Sequence, residues 1–246
     1  MLRRAGGARI IVVLAVLVLV VARLWGPRPS RSPRMAHQAQ QQATDASPHA
    51  PHAPLGRPAA DSGCPVEGDA KVPRVTALNL LKNRTTVPAV ADIDTAITTA
   101  MLVAPGDDRS RFTTGKAVRV SGYVADVKVG GVETVNCKAK DPDARDTHIE
   151  LTLEPMSEDG AKHLIVEVTP RWRTIVAARG EDWHTNALRR NLKGRWVEVT
   201  GWLLYDEEHE ANAANTHRGK ANIWRATVWE VHPITSIRVL ERPPTR

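Results

Sequence analysis

The residues of this chain whose types could do chemistry together stand in two echoing stretches, Glu167-Val168-Thr169-Pro170 and Glu230-Val231-His232-Pro233. Side chains alternate along a strand, so Glu167 shares a face with Thr169, and Glu230 shares a face with His232. Where two such stretches run as parallel neighbours, the pairs meet across the ladder. The expected product is a polar cluster of Glu167, Glu230 and His232, approached by Arg171 or Arg225. Such a cluster could take a ligand or a metal ion, with His148, Asp206 and His209 as its outer wall. It could also be an ion-pair network that closes a barrel. That second reading is the favoured one, because structural networks gather ionisable groups as active sites do. A separate set, Asp206, His209 and His217, lies in one acidic, His-bearing stretch. Carboxylate and imidazole suit first-row metals where geometry converges; a solvated charged loop explains the same composition.

Familiar catalytic patterns are absent. There is no GxSxG elbow, HExxH or GxGxxG. Residues 106–116 end in Gly-Lys, followed by Ala117, with the wrong glycine spacing for a phosphate loop, and His209-Glu210 meets no further histidine before His217. Two cysteines without a CxxC pair exclude zinc held by thiolates. No cofactor is named by these residues.

The elements that must position this chemistry read as strands from residue 116 onward. Residues 116–129 (KAVRVSGYVADVKV) alternate over a long run with Gly122 in the middle, where a missing side chain lets a strand bend between two sheets. Strands are expected next at 148–153 and 163–169, a helix at 181–192 with Trp183, Ala187, Leu188 and Leu192 near one stripe, then strands at 195–205 and 223–232 before a short tail at 237–240. The order β-β-β-α-β-β predicts a mainly β fold: an OB-like five-stranded barrel with one helix between strands three and four. A sandwich would want about seven strands, and a doubly wound sheet would want helices after most strands.

Ahead of the barrel (116–246), residues 75–84 and 93–102 show helix-like apolar spacing and form a lead-in segment over 71–115 that packs on it. Residues 26–70 hold eight of the seventeen prolines and the run Gln40-Gln41-Gln42, a composition that predicts a disordered linker. Cys64 falls in that linker and Cys137 in the barrel. One disulfide is allowed, but two unpaired thiols are the expectation. Residues 10–22 are an unbroken apolar run of thirteen behind Arg3, Arg4 and Arg9, the length of a signal-peptide core. Extended to 8–25, the segment covers about 27 Å of helix, enough for an uncleaved anchor with Trp25 at the interface. Residues 1–25 are therefore a signal peptide or a membrane anchor, and the domain is expected outside the cytoplasm.

The net charge of +7 sits in the first 34 residues, which carry seven arginines and no acid, whereas residues 71–246 carry 26 basic against 23 acidic groups. The folded part is close to neutral, which argues against nucleic acid as a partner. The second and third strands also lack any aromatic ring on which bases could stack, although six tryptophans lie elsewhere in the domain. The loops at 130–147 and 206–222 are long and polar, the places where a rigid barrel carries function.

Taken together, Gly122-Tyr123-Val124, Asn136-Cys137, His148-Ile149-Glu150, Glu167-Val168-Thr169-Pro170-Arg171, Gly201-Trp202-Leu203-Leu204-Tyr205-Asp206 with His209, and Thr227-Val228-Trp229-Glu230-Val231-His232-Pro233 resemble a group of uncharacterised bacterial OB-like proteins. The resemblance covers roughly residues 75–240. It implies the fold and carries no activity. The reading that follows is a binding or interaction module of unknown ligand, tethered at or exported past a membrane. A metal-assisted hydrolase using Asp206, His209 and His217 with the Glu and His at the strand ends is the first alternative, and a single-stranded nucleic-acid binder the second.

Overall fold

A computed structural model describes residues 63–244. The expectations for residues 1–25, and for the linker before residue 63, lie outside the described residues. Among the described residues there are six strands: β1 (Ile93–Asp94), β2 (Ala117–Val129), β3 (Thr147–Thr152), β4 (Leu164–Val168), β5 (Trp196–Tyr205) and β6 (Trp229–Leu240). Strands β2 to β6 form a closed five-stranded barrel in the order β2-β3-β4-β6-β5, with β5 pairing back onto β2. The pairings are antiparallel except β4 with β6, which meet in parallel at Val166 and Val231. The two-residue β1 runs parallel to β2 outside the barrel.

The inward face of β2 explains itself. Val118, Val120 and Val124 occupy even positions and are buried, whereas the next buried valine is Val127. One extra residue must separate the two sets, and the ladder with β3 shifts register between Val124 and Asp126. The same strand pairs with β5 through residues 117–123 and with β3 through 123–129, so it passes from one partner to the other at Tyr123, one residue beyond Gly122. A Cβ on Gly122 would lie 3.0 Å from the Leu151 Cβ and 3.2 Å from the Thr152 carbonyl oxygen. Gly122→Val is therefore expected to lose about 1–3 kcal/mol through overpacking. An unchanged urea midpoint would show that β3 gives way freely at the crossing.

Between β4 and β5 the structure corrects the expectation of one helix: there are two. Helix α3 (Pro170–Ala177) begins at Pro170, and the Thr169 hydroxyl accepts from the Trp172 amide. Thr-Pro at the end of β4 is thus an N-cap followed by proline at the first helical position. The second, α4 (Thr185–Leu192), starts four residues later than the expected span and buries Ala187, Leu188 and Leu192 in the barrel core beside Trp183.

The last strand also differs. It was expected at 223–232 with a separate tail at 237–240, but β6 runs unbroken from Trp229 to Leu240. Residues 227 and 228 are held off the ladder by buried Asp108, whose carboxylate accepts from the Thr227 hydroxyl and the Val228 amide at 2.8 Å each. Pro233, which lacks an N–H, is absorbed where the register shifts opposite Gly201. A Cβ on Gly201 would stand 2.5 Å from the Pro233 carbonyl oxygen, so only glycine lets β6 come this close.

In the lead-in, α1 (Pro73–Lys82) and α2 (Thr99–Val103) form, while the start of the second expected segment is β1. Folded structure reaches back to residue 63, into the stretch expected to be disordered linker through 70. Cys64 and Cys137 are disulfide-bonded, contrary to the expectation of two free thiols. The Asp69 amide donates to the Thr134 carbonyl, and the Asn83 amide group donates to the carbonyls of Val66 and Val135. Local composition marks Cys64 as linker; its pairing depends on contacts that hold residues 64–83 against the 130–146 loop. No helix among the described residues is long and apolar enough to cross a membrane.

Candidate functional site

The ends of β3, β4 and β6 bring ionisable side chains together at one end of the barrel. His148 on β3 stands directly opposite Glu167 on β4. The parallel pairing of Val166 with Val231 sets Glu230 and His232 beside them. The His232 Nδ1 donates to Glu230 Oε1 at 3.0 Å and lies 3.4 Å from Glu167 Oε2. Glu230 Oε2 accepts from the Arg225 guanidinium at 2.8 Å. His148 Nε2 is 2.7 Å from Glu167 Oε1 but without an aligned hydrogen bond. The predicted meeting of Glu167, Glu230 and His232, with His148 beside them, is what the structure contains.

Of the two arginines, Arg225 approaches and Arg171 does not. Arg171 sits in the first turn of α3 and donates to the Cys64 carbonyl. The helix start at Pro170 turns it away from the strand face. Asp206 and His209 meet each other, with His209 Nδ1 donating to Asp206 Oδ2 at 2.8 Å, but Asp206 is engaged by the Lys82 ammonium at 2.8 Å. His217 is in the short α5 (Ala214–His217), and no hydrogen bond or ion pair links its side chain to Asp206 or His209 among the described residues. The trio Asp206, His209 and His217 therefore does not converge.

The convergent trio is Asp146, Glu167 and His232, each offering a ligand atom within 4.8 Å of the others. Asp146 was not anticipated. Its signal was available: Asp146 and His148 are two apart and enter β3 on one face. Asp146 Oδ2 accepts from the Asn136 amide group at 2.8 Å and lies 3.9 Å from His232 Nε2, while Oδ1 has no partner. Lys82 was also missed. The buried residues of α1 are Val75, Leu78, Asn79 and Lys82, an i, i+3, i+4, i+7 stripe that carries the lysine inward. Its ammonium also meets Glu133 at 3.2 Å. Trp224 covers the group, stacked on the His148 ring with centroids 6.2 Å apart and edge-on to His209 at 5.3 Å.

Burial sets the electrostatics. It pushes the Asp146 carboxyl up to about 6 against the opposing pull of His232. Burial works against the His232 charge too, but Glu167 and the bond to Glu230 outweigh it and raise the ring to about 9. Glu167 stays well below the usual carboxylate range because His148 and His232 more than offset its burial. Asp206 is held low in the same way by Lys82 and His209, and Lys82 is raised by Asp206.

A second buried pair lies farther along β3. Glu150 accepts from His163 Nδ1 at 2.8 Å and also meets Lys128. Against burial, these partners lower Glu150 to about 2 from its ordinary 4.5, and Glu150 raises His163 above 6.5. The depressed carboxyl contributes stability that is present above pH 4.5 and lost as pH falls towards 2. The raised imidazole contributes stability that is present below 6.5 and lost as pH rises through its folded value. Both contributions are whole between pH 4.5 and 6.5. His163→Gln is expected to flatten the alkaline arm of the stability profile above pH 6.5, and an arm of unchanged slope by urea titration would assign that loss to other groups.

No protein-family model matches this chain, and no curated protein matches it either. The functional reading rests on the geometry.

Proposed function

We propose that this chain is a binding module rather than an enzyme, built on an OB-type barrel of the group its motifs resemble, with residues 1–25 holding it at a membrane or directing its export. The closed strand order with β4 and β6 parallel supports the OB reading. The observation that carries the functional reading is enclosure. Asp146 and Glu167 are 3% exposed, His232 1% and Glu230 0%. A hydrolytic metal centre keeps a position open to water and substrate, and side chains sealed to this degree present none. A sealed group of charges shapes and stiffens the barrel end and the 130–146 and 206–228 loops that a ligand would meet. Nucleic acid stays outside the proposal because residues 71–246 are nearly neutral.

The full chain, supplied with Zn²⁺ or Mn²⁺, is expected to hydrolyse p-nitrophenyl acetate and p-nitrophenyl phosphate no faster than the metal blank. Turnover that disappears in His232→Ala would overturn the binding reading in favour of the hydrolase. For the tether, the full chain is expected to sediment with membranes and residues 63–246 to remain in the supernatant. If both fractionate alike, residues 1–62 do not anchor the domain.

A further inference from the structure

We propose that Asp146, Glu167 and His232, with His148 bracing Glu167 from behind, form a buried site for one first-row divalent cation of the zinc or manganese class. The site clamps the 130–146 loop to the ends of β3, β4 and β6. The proposal rests on the preceding reading only in taking this sealed end of the barrel as the functional one.

Three observations carry it. The first is convergence: one ligand atom from each of Asp146, Glu167 and His232 lies within 4.8 Å of the others. Bonds of about 2.0–2.2 Å put donors around one cation about 3–4.4 Å apart, so shifts of a few tenths of an ångström seat the ion. The second is the set of buried polar atoms without a hydrogen-bond partner. Two of those among the described residues lie in this cluster, Asp146 Oδ1 and His232 Nε2, on side chains that are 3% and 1% exposed. Buried polar atoms are nearly always satisfied, and two in one cluster mark a missing partner. His232 Nε2 faces Asp146 Oδ2 at 3.9 Å, too far for a hydrogen bond and suited to an ion between them.

The third observation is the support behind the donors. His232 gives its Nδ1 hydrogen to Glu230, which is itself fixed by Arg225, so Nε2 is the free ligand atom. Asn136 holds one oxygen of Asp146 and leaves the other open. Carboxylate behind imidazole and amide behind carboxylate are the arrangements that orient metal ligands.

The test uses the full chain stripped with a chelator and dialysed against Zn²⁺ or Mn²⁺. The expected result is one equivalent retained per chain, a raised melting temperature, and an X-ray absorption spectrum with only nitrogen and oxygen in the first shell. His232→Gln is expected to abolish uptake. Glu230→Gln, which weakens the support behind His232 while leaving an oxygen to accept from Arg225, is expected to weaken it about 10–100-fold. If His232→Gln does not fold, the parent stoichiometry and the Glu230→Gln affinity decide. No uptake of either ion at micromolar free concentration overturns the site. So does uptake that survives His232→Gln and is lost in His49→Ala/His52→Ala, which would place the ion on the Pro-His-Ala-Pro-His-Ala-Pro stretch of residues 48–54. Loss of the metal site leaves the non-catalytic reading standing, and turnover in the ester and phosphate assays leaves the metal site standing.

Discussion

Replacing Cys64 and Cys137 together with serine is expected to lower the free energy of unfolding by about 4 kcal/mol. The bridge joins residues 73 apart, and the entropy it removes from the unfolded chain grows with the closed loop, reaching about 4 kcal/mol at this length. The loss should appear as a lower urea midpoint, with the intact protein under reductant behaving like the variant. Native protein should show no thiol titratable by Ellman's reagent. Two titratable thiols, or a midpoint that moves by less than the equivalent of about 1 kcal/mol, would mean that the contacts of Asn79 and Asn83 hold the lead-in by themselves.

Lys82→Met is expected to cost about 3–5 kcal/mol, because it leaves a buried carboxylate without its cation. Lys82 and Asp206 are both 1% exposed in their side chains and 2.8 Å apart. Methionine fills the volume but cannot answer the charge. Asp206→Asn in the same chain should recover a large part of the loss, since asparagine removes the uncompensated charge and can still accept from the Glu208 amide. A Lys82→Met variant within about 1 kcal/mol of the parent by urea unfolding would show that water reaches Asp206. The cycle of the two single variants and the double isolates the pair from the rest of the network.

These two effects fall on residues that local reading treated least well. Cys64 sits in a Pro-rich, polar neighbourhood and Lys82 near the end of a short helix, and in both cases the deciding partner is more than fifty residues away. Glu167, Glu230 and His232 were legible because strand alternation is local and the two Glu-Val-Xaa-Pro stretches repeat each other. Arg171 was misplaced because Thr169-Pro170 ends a strand and caps a helix at once, and the strand reading carried one residue too far.

Residue order alone carried the succession of the barrel strands and the meeting of the Glu and His residues of β4 and β6, whereas the register shift in β2 came with the ladder. The first two follow from side-chain period and from chain order, which act over a few residues. Only the tertiary structure decided that Cys64 reaches Cys137, that Asp206 belongs to Lys82 rather than to His217, and that Asp146 completes the group around His232. Those outcomes depend on which strand ends and loops close over one end of the barrel, and on a burial deep enough that each charge must find its partner wherever the chain supplies one.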